Sequence, residues 1–182
     1  VDFEPVTRRR VAHADKDVAN LKVLVVGDVG VGKTALVKAF CGETKFSTEH
    51  EPTIGADFNV RPLSNAGRDL RVNVWDSSGD GQFLDVRNEF YKESQGVLLV
   101  FDVTARKTFQ NLEMWFSEMQ KYSPGGMKCA VVGTKVESGP RVVPEQAARD
   151  WARGKGAPYF EVSAAVGKNV EAPFRDLAGR LA

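Results

Sequence analysis

The run Gly27-Asp28-Val29-Gly30-Val31-Gly32-Lys33-Thr34 constrains this chain more than any other. It matches GxxxxGK[ST] and directly follows Leu21–Val26, a short apolar, β-branched run. Beyond it, Leu36, Val37 and Phe40 recur at helical spacing. A strand, a glycine-rich turn and a helix in that order form a phosphate cradle. The glycines let backbone N–H groups converge on phosphate oxygens, and the positive end of the helix adds to the attraction. In such a loop Asp28, Val29, Gly30, Val31 and Gly32 line the phosphates. Lys33 reaches the β- and γ-phosphates, and the Thr34 hydroxyl ligates Mg²⁺. The plain alternative is a glycine-rich turn that binds nothing. A chance match in a chain this long is on the order of one in a hundred, and this one sits where a strand and a helix need it.

The rest of the chain extends the alternation. Phe58–Leu63 and Leu70–Trp75 read as strands joined at Asn65-Ala66-Gly67, a turn cluster that predicts a hairpin. Val97–Val103 and Cys129–Val132 are continuous apolar runs, as expected of parallel strands buried on both faces. Between them, Thr108–Lys121 places Leu112, Trp115, Phe116 and Met119 on one helical face. A helix is expected from about Pro144 to Arg153 or Gly154, then a strand over Tyr159–Val162 and a helix over Val170–Leu181. Strands alternating with helices predict an α/β sheet covered on both faces. One domain over 21–182 follows a polar extension over 1–20.

Composition narrows the function classes. The 182 residues carry 25 Lys+Arg against 24 Asp+Glu, a net charge of +1, which argues against a general nucleic-acid grip. It says nothing against one anionic ligand in one pocket. Cys41 and Cys129 lie far apart, so neither a zinc cluster nor a disulfide framework is expected. Both are read as buried thiols in a reduced, cytoplasmic setting. Arg8-Arg9-Arg10 is read as a solvated tail rather than a lipid contact. Neither His13 nor His50 joins a catalytic constellation.

A second motif, Asp76-Ser77-Ser78-Gly79, closes the third strand in the form DxxG. An Asp at a strand end is placed to hold a water on Mg²⁺, and the Gly79 N–H to sense a γ-phosphate. Thr53, in Pro52-Thr53-Ile54-Gly55, would offer the metal a second hydroxyl.

With these motifs in register, the chain resembles the Ras-like small GTPases, and among them the Rab branch, from about Leu21 to Leu181. Residues 52–58 (PTIGADF), 72–79 (VNVWDSSG) and 96–104 (GVLLVFDVT) carry the likeness. It implies a P-loop NTPase G domain with a six-stranded, mostly parallel sheet, one antiparallel strand and helices on both faces. It also implies GTP or GDP with Mg²⁺. By the same resemblance Thr53 belongs to switch I, residues 77–92 form switch II, and Phe46 packs on the guanine ring. Phe58, Trp75 and Phe90 match the aromatic triad through which Rab proteins meet effectors, with hydrophobic core as the plainer reading of all three. Residues 86–92 (VRNEFYK) look like the Rab-like subgroup whose members sometimes carry a C-terminal J domain. No Cys lies near the end of this sequence, so no prenyl anchor is expected, and a monomer is.

The departures fall on hydrolysis and base recognition. Val29 takes a position where the family has a small residue, crowding the space of an attacking water or an arginine finger. Asp80 replaces the Gln that orients that water; its carboxylate is shorter and, when ionised, cannot donate. Very slow hydrolysis is the expectation. The base motif Asn-Lys-x-Asp stands here as Thr134-Lys135-Val136-Glu137. Glu137 keeps the carboxylate on a longer stem, Lys135 its packing stem. Thr134 loses the amide that contacts the base and braces the P-loop. Ser163-Ala164-Ala165 keeps the Ala164 N–H for the guanine O6 but has no lysine at Ala165. Guanine is expected over adenine, bound more weakly than by a typical Rab. Three readings stay open: a nucleotide-dependent switch, a GTP-locked or nucleotide-insensitive scaffold, and, least supported, a P-loop kinase of small metabolites.

Overall fold

The computed structural model describes residues 18–42 and 56–181. Six strands form one sheet: β1 (Ala19–Val26), β2 (Ala56–Asn65), β3 (Arg68–Ser77), β4 (Gly96–Asp102), β5 (Lys128–Thr134) and β6 (Tyr159–Glu161). Their spatial order is β2-β3-β1-β4-β5-β6, parallel throughout except for β2, which runs antiparallel to β3. The expected sheet, including its single reversed strand, is the one observed. The hairpin turns at Ala66 and Gly67, both with positive φ (49° and 77°). Strand β2 is outermost, and its ladder with β3 runs unbroken from Ala56 to Asn65 through Pro62.

Alternation along β1 shows why the apolar runs are continuous. Val23 and Val25 enter a core cluster with Leu36, Val37 and Phe40 of helix α1 (Lys33–Phe40) and Phe174, Leu177 and Ala178 of helix α6 (Ala172–Leu181). Leu24 and Val26 enter the opposite cluster, with Tyr91 of α2 (Leu84–Glu93), Leu112, Trp115 and Met119 of α4 (Leu112–Tyr122), and Ala148 and Ala152 of α5 (Glu145–Gly154). A strand with both faces covered has no side free for polar residues.

One helical expectation needs correction, and one helical segment was not anticipated. The stretch expected as one helix over 108–121 is two, α3 (Arg106–Gln110) and α4, with Asn111 at ψ −9° between them. Asn111 has its side chain drawn to Asp28 rather than left to follow the helix. Residues 81–93 carry a short 3₁₀ turn (Gly81–Phe83) and α2, neither of which the hydrophobic pattern announced.

Candidate nucleotide site

The phosphate loop joins β1 to α1 at the carboxyl edge of the sheet. Gly27 lies so close to β4 that a Cβ there would sit 2.2 Å from the Val100 carbonyl oxygen. Gly30 and Gly32 hold φ of 81° and 95°, which favour glycine. Lys33, only 6% exposed, donates from Nζ to the Gly27 oxygen at 2.9 Å and the Asp28 oxygen at 2.8 Å. Burial lowers its pKa to about 8, against the opposing pull of the Asp76 and Asp28 charges.

Thr34 Oγ1 donates to Asp76 Oδ2 at 2.5 Å. Asp76 is 1% exposed, and burial raises its carboxyl above the ordinary range, opposed by the Thr34 hydrogen bond and the Lys33 charge. Its second oxygen, Oδ1, is buried with no hydrogen-bond partner among the described residues. A hydroxyl beside a carboxylate that keeps one oxygen unclaimed is a donor set that a hard divalent cation takes. Mg²⁺ therefore fits the residues present. Gly79 presses against the loop: a Cβ on it would lie 2.5 Å from the Gly27 oxygen and 2.6 Å from the Val29 nitrogen. Phe46 and Thr53 lie outside the described residues, as do His13, His50 and Arg8 to Arg10.

Opposite the phosphate loop, β5 and the segment after β6 bring together the residues expected at the base. Thr134, 4% exposed, directs Oγ1 at the Val31 oxygen (2.5 Å) and the Phe101 oxygen (3.0 Å). Sequence reasoning assigned the loop brace to the lost amide; the threonine hydroxyl reaches the loop carbonyl by itself. Lys135, at φ 61°, donates to the Gly30 oxygen at 2.7 Å and pairs with Asp102 at 3.0 Å. Glu137 pairs with Lys168 at 3.5 Å. Ser163 is buried, and paired backbone bonds with Lys168 (3.0 and 2.8 Å) close a loop over Ala164 and Ala165.

The Ras family model matches residues 22–182. The chain is 38% identical over 161 residues to the DnaJ homolog subfamily C member 27-A of Xenopus laevis, covering 85% of this chain and 59% of that protein. The Bos taurus DnaJ homolog subfamily C member 27 gives the same identity and shares. Ras-related protein Rab-1D of Dictyostelium discoideum is 34% identical over 166 residues, 88% of this chain and 81% of that one. This chain is a Rab-like small GTPase of the Ras family. It spans about three fifths of the length of its DnaJ-named relatives.

On this Rab-like GTPase, two of the residues expected to depart from the family, Val29 and Asp80, are exposed, whereas a third, Thr134, is buried. Val29 is 50% exposed on the phosphate loop. The Asp80 carboxylate turns back on its own chain, accepting from the Gln82 backbone N–H at 3.0 Å and from Gln82 Nε2 at 3.1 Å. The aromatic triad is contiguous: ring centroids of Phe58 and Trp75 lie 4.6 Å apart, and those of Trp75 and Phe90 4.4 Å. Phe58 is 50% exposed, whereas Trp75 and Phe90 lean on the core, so the triad is half surface and half interior. Cys129 is buried as expected, but Cys41, at the end of α1, is only partly so.

Sequence reasoning missed the tether on Asp28, which accepts from Asn111 Nδ2 at 2.6 Å and Trp115 Nε1 at 2.8 Å. It also missed Arg87, which is almost fully buried in α2. Arg87 is not marked out by periodicity, because only its partners, Glu118 and Trp115 of α4 and the carbonyls of Ser78 and Asp80, distinguish it from a surface arginine. No described helix is long and apolar enough to cross a membrane, and no group of three or more His, Cys, Asp or Glu that could hold a metal occurs among the described residues.

Proposed function

We propose that this Rab-like chain is a switch that holds GTP or GDP with Mg²⁺, hydrolyses GTP very slowly, and offers Phe58, Trp75 and Phe90 to effector proteins in the cytoplasm or at membranes reached through partners. One observation carries it: Lys33, Thr34 and Asp76 converge at the phosphate loop with an unclaimed carboxylate oxygen. Lys33 would bind the β- and γ-phosphates. Thr34 and Asp76 would hold the metal, Asp76 through a water, and Thr53 would add a hydroxyl. Mg²⁺, when bound, would supply positive charge against that of the phosphates. Gly79 would present its N–H to the terminal phosphate. Phe46, Thr134, Lys135, Glu137, Ser163, Ala164 and Ala165 would surround the base. Slow hydrolysis is supported by the side chain of Val29 on the loop and by an Asp80 carboxylate engaged by Gln82.

The Asp80–Gln82 contact also favours a second reading, a GTP-locked or nucleotide-insensitive scaffold. Denaturing the purified protein and identifying the released nucleotide by chromatography separates these. GDP supports a cycling switch and GTP a locked one. Release of no nucleotide, together with no uptake of added GDP, overturns the nucleotide-binding reading.

A further inference from the structure

Arg87 is a charged side chain with 3% exposure. Its Nη1 donates to the Ser78 oxygen at 2.9 Å and the Asp80 oxygen at 2.7 Å. Its Nε donates to Glu118 Oε1 at 2.9 Å, in an ion pair whose side chains are 4% and 9% exposed. The guanidinium carbon lies 4.9 Å over the ring of Trp115, the residue whose indole N–H holds Asp28 of the phosphate loop. A planar fork with several donors suits this position, and a lysine ammonium would not fill it.

The two gripped carbonyls flank Gly79. Across a trans peptide the C=O and N–H point in opposite directions, and no described peptide bond is cis. Anchoring the Ser78 oxygen on Arg87 therefore turns the Gly79 N–H to the far side of that peptide, away from the guanidinium. The bond to the Asp80 oxygen holds the Asp80–Gly81 peptide, so the chain is pinned on both sides of the Gly79–Asp80 link. Gly79 meanwhile rests on the backbone of Gly27 and Val29. Asp28, Trp115, Arg87 and Gly79 thus form a closed circuit that begins and ends on the phosphate loop.

We propose that Arg87 is a positioning residue for the terminal phosphate: by holding the carbonyls on either side of Gly79 it presets the direction of the Gly79 N–H. This rests on the nucleotide-binding reading above. It makes Arg87 matter for a nucleoside triphosphate and not for a diphosphate, because only the triphosphate has an oxygen for that donor to meet.

The test measures, on the whole chain with Mg²⁺, the affinities for GDP and for guanylyl imidodiphosphate in the unsubstituted protein, Arg87→Lys and Arg87→Ala. The expected result is an about tenfold loss of affinity for the triphosphate analogue, with GDP held within about twofold. Arg87→Lys keeps the charge opposite Glu118, so it gives the answer if Arg87→Ala does not fold. A merely structural role lowers the two affinities together, and an unchanged ratio of affinities overturns the proposal. If the unsubstituted chain binds neither nucleotide, the functional reading falls first and this inference with it.

Discussion

Trp115 donates its indole N–H to Asp28 Oδ1 at 2.8 Å, joining helix α4 to the second residue of the phosphate loop. Asn111, one turn earlier, holds the other carboxylate oxygen at 2.6 Å. With both oxygens engaged from outside the loop, the Asp28 backbone carbonyl is fixed where Lys33 uses it. The loop is therefore shaped by a helix more than eighty residues downstream as well as by its own glycines.

Trp115→Phe keeps an aromatic ring under Arg87 but removes the indole donor and leaves a small void. A charge-assisted bond and part of a buried ring together cost about 2–3 kcal/mol. Urea denaturation is expected to show that loss. An unchanged midpoint would mean that Asn111 holds the loop alone.

Restoring small and amide side chains at the two divergent positions is expected to accelerate hydrolysis. In Val29→Gly with Asp80→Gln, single-turnover GTP cleavage should rise at least about tenfold over the unsubstituted chain. The unsubstituted chain itself should be very slow. A rate already at the level of an ordinary Rab protein would remove the basis of the expectation.

Lys168 sits on the carboxylate that the base would need. Neutralising it by Lys168→Met frees Glu137 from a contact of the kind worth about 0.2–1 kcal/mol at a surface, with the pair 62% and 35% exposed. GDP affinity is expected to rise about two- to fivefold at low salt, with the gain shrinking as salt is added. Weaker GDP binding by this variant would show that Lys168 assists the base instead.

Lys33 makes binding depend on pH. Its pKa is lowered by burial from 10.5 to about 8, so between those values the unfolded chain holds more protons than the folded one. Through that window this group's contribution to the stability of the nucleotide-free protein rises with pH. An anion beside the ammonium reverses the shift, and binding then takes up a proton. Calorimetry of GDP binding near pH 8 in buffers of different ionisation enthalpy is expected to show net uptake of part of a proton, fading by about pH 6.5. Zero uptake near pH 8 would show that the ammonium stays charged without nucleotide.

Most of the sheet was legible because β-branched runs such as Leu21–Val26 can hardly lie anywhere but between two helical layers. The phosphate loop was legible because its chemistry is local: glycines, lysine and threonine act within eight residues. Arg87 was not. Periodicity reads a charged residue as surface, and the groups that admit this one to the interior, Glu118 and the carbonyls of Ser78 and Asp80, come together only after folding. Helix α2 was missed for a related reason. It buries Arg87 and Tyr91 and leaves a polar sequence with no apolar stripe. Thr134 was half legible: its hydroxyl was noted, but its reach to Val31 depends on how close β5 comes to the loop.

Pro62 gives the outermost strand a consequence for self-association. The open side of β2 is a template on which another extended chain could continue the sheet, and Phe58 and Val60 stand exposed on one face of that strand. A proline is tolerated inside a ladder such as this where its missing N–H faces outward. Any strand laid along the free margin therefore meets a ring where it needs a donor, partway along its length. The patch beside it can be recognised through side chains while the backbone refuses to act as a seed, so the same surface can be adhesive to a folded partner and inert to stacking.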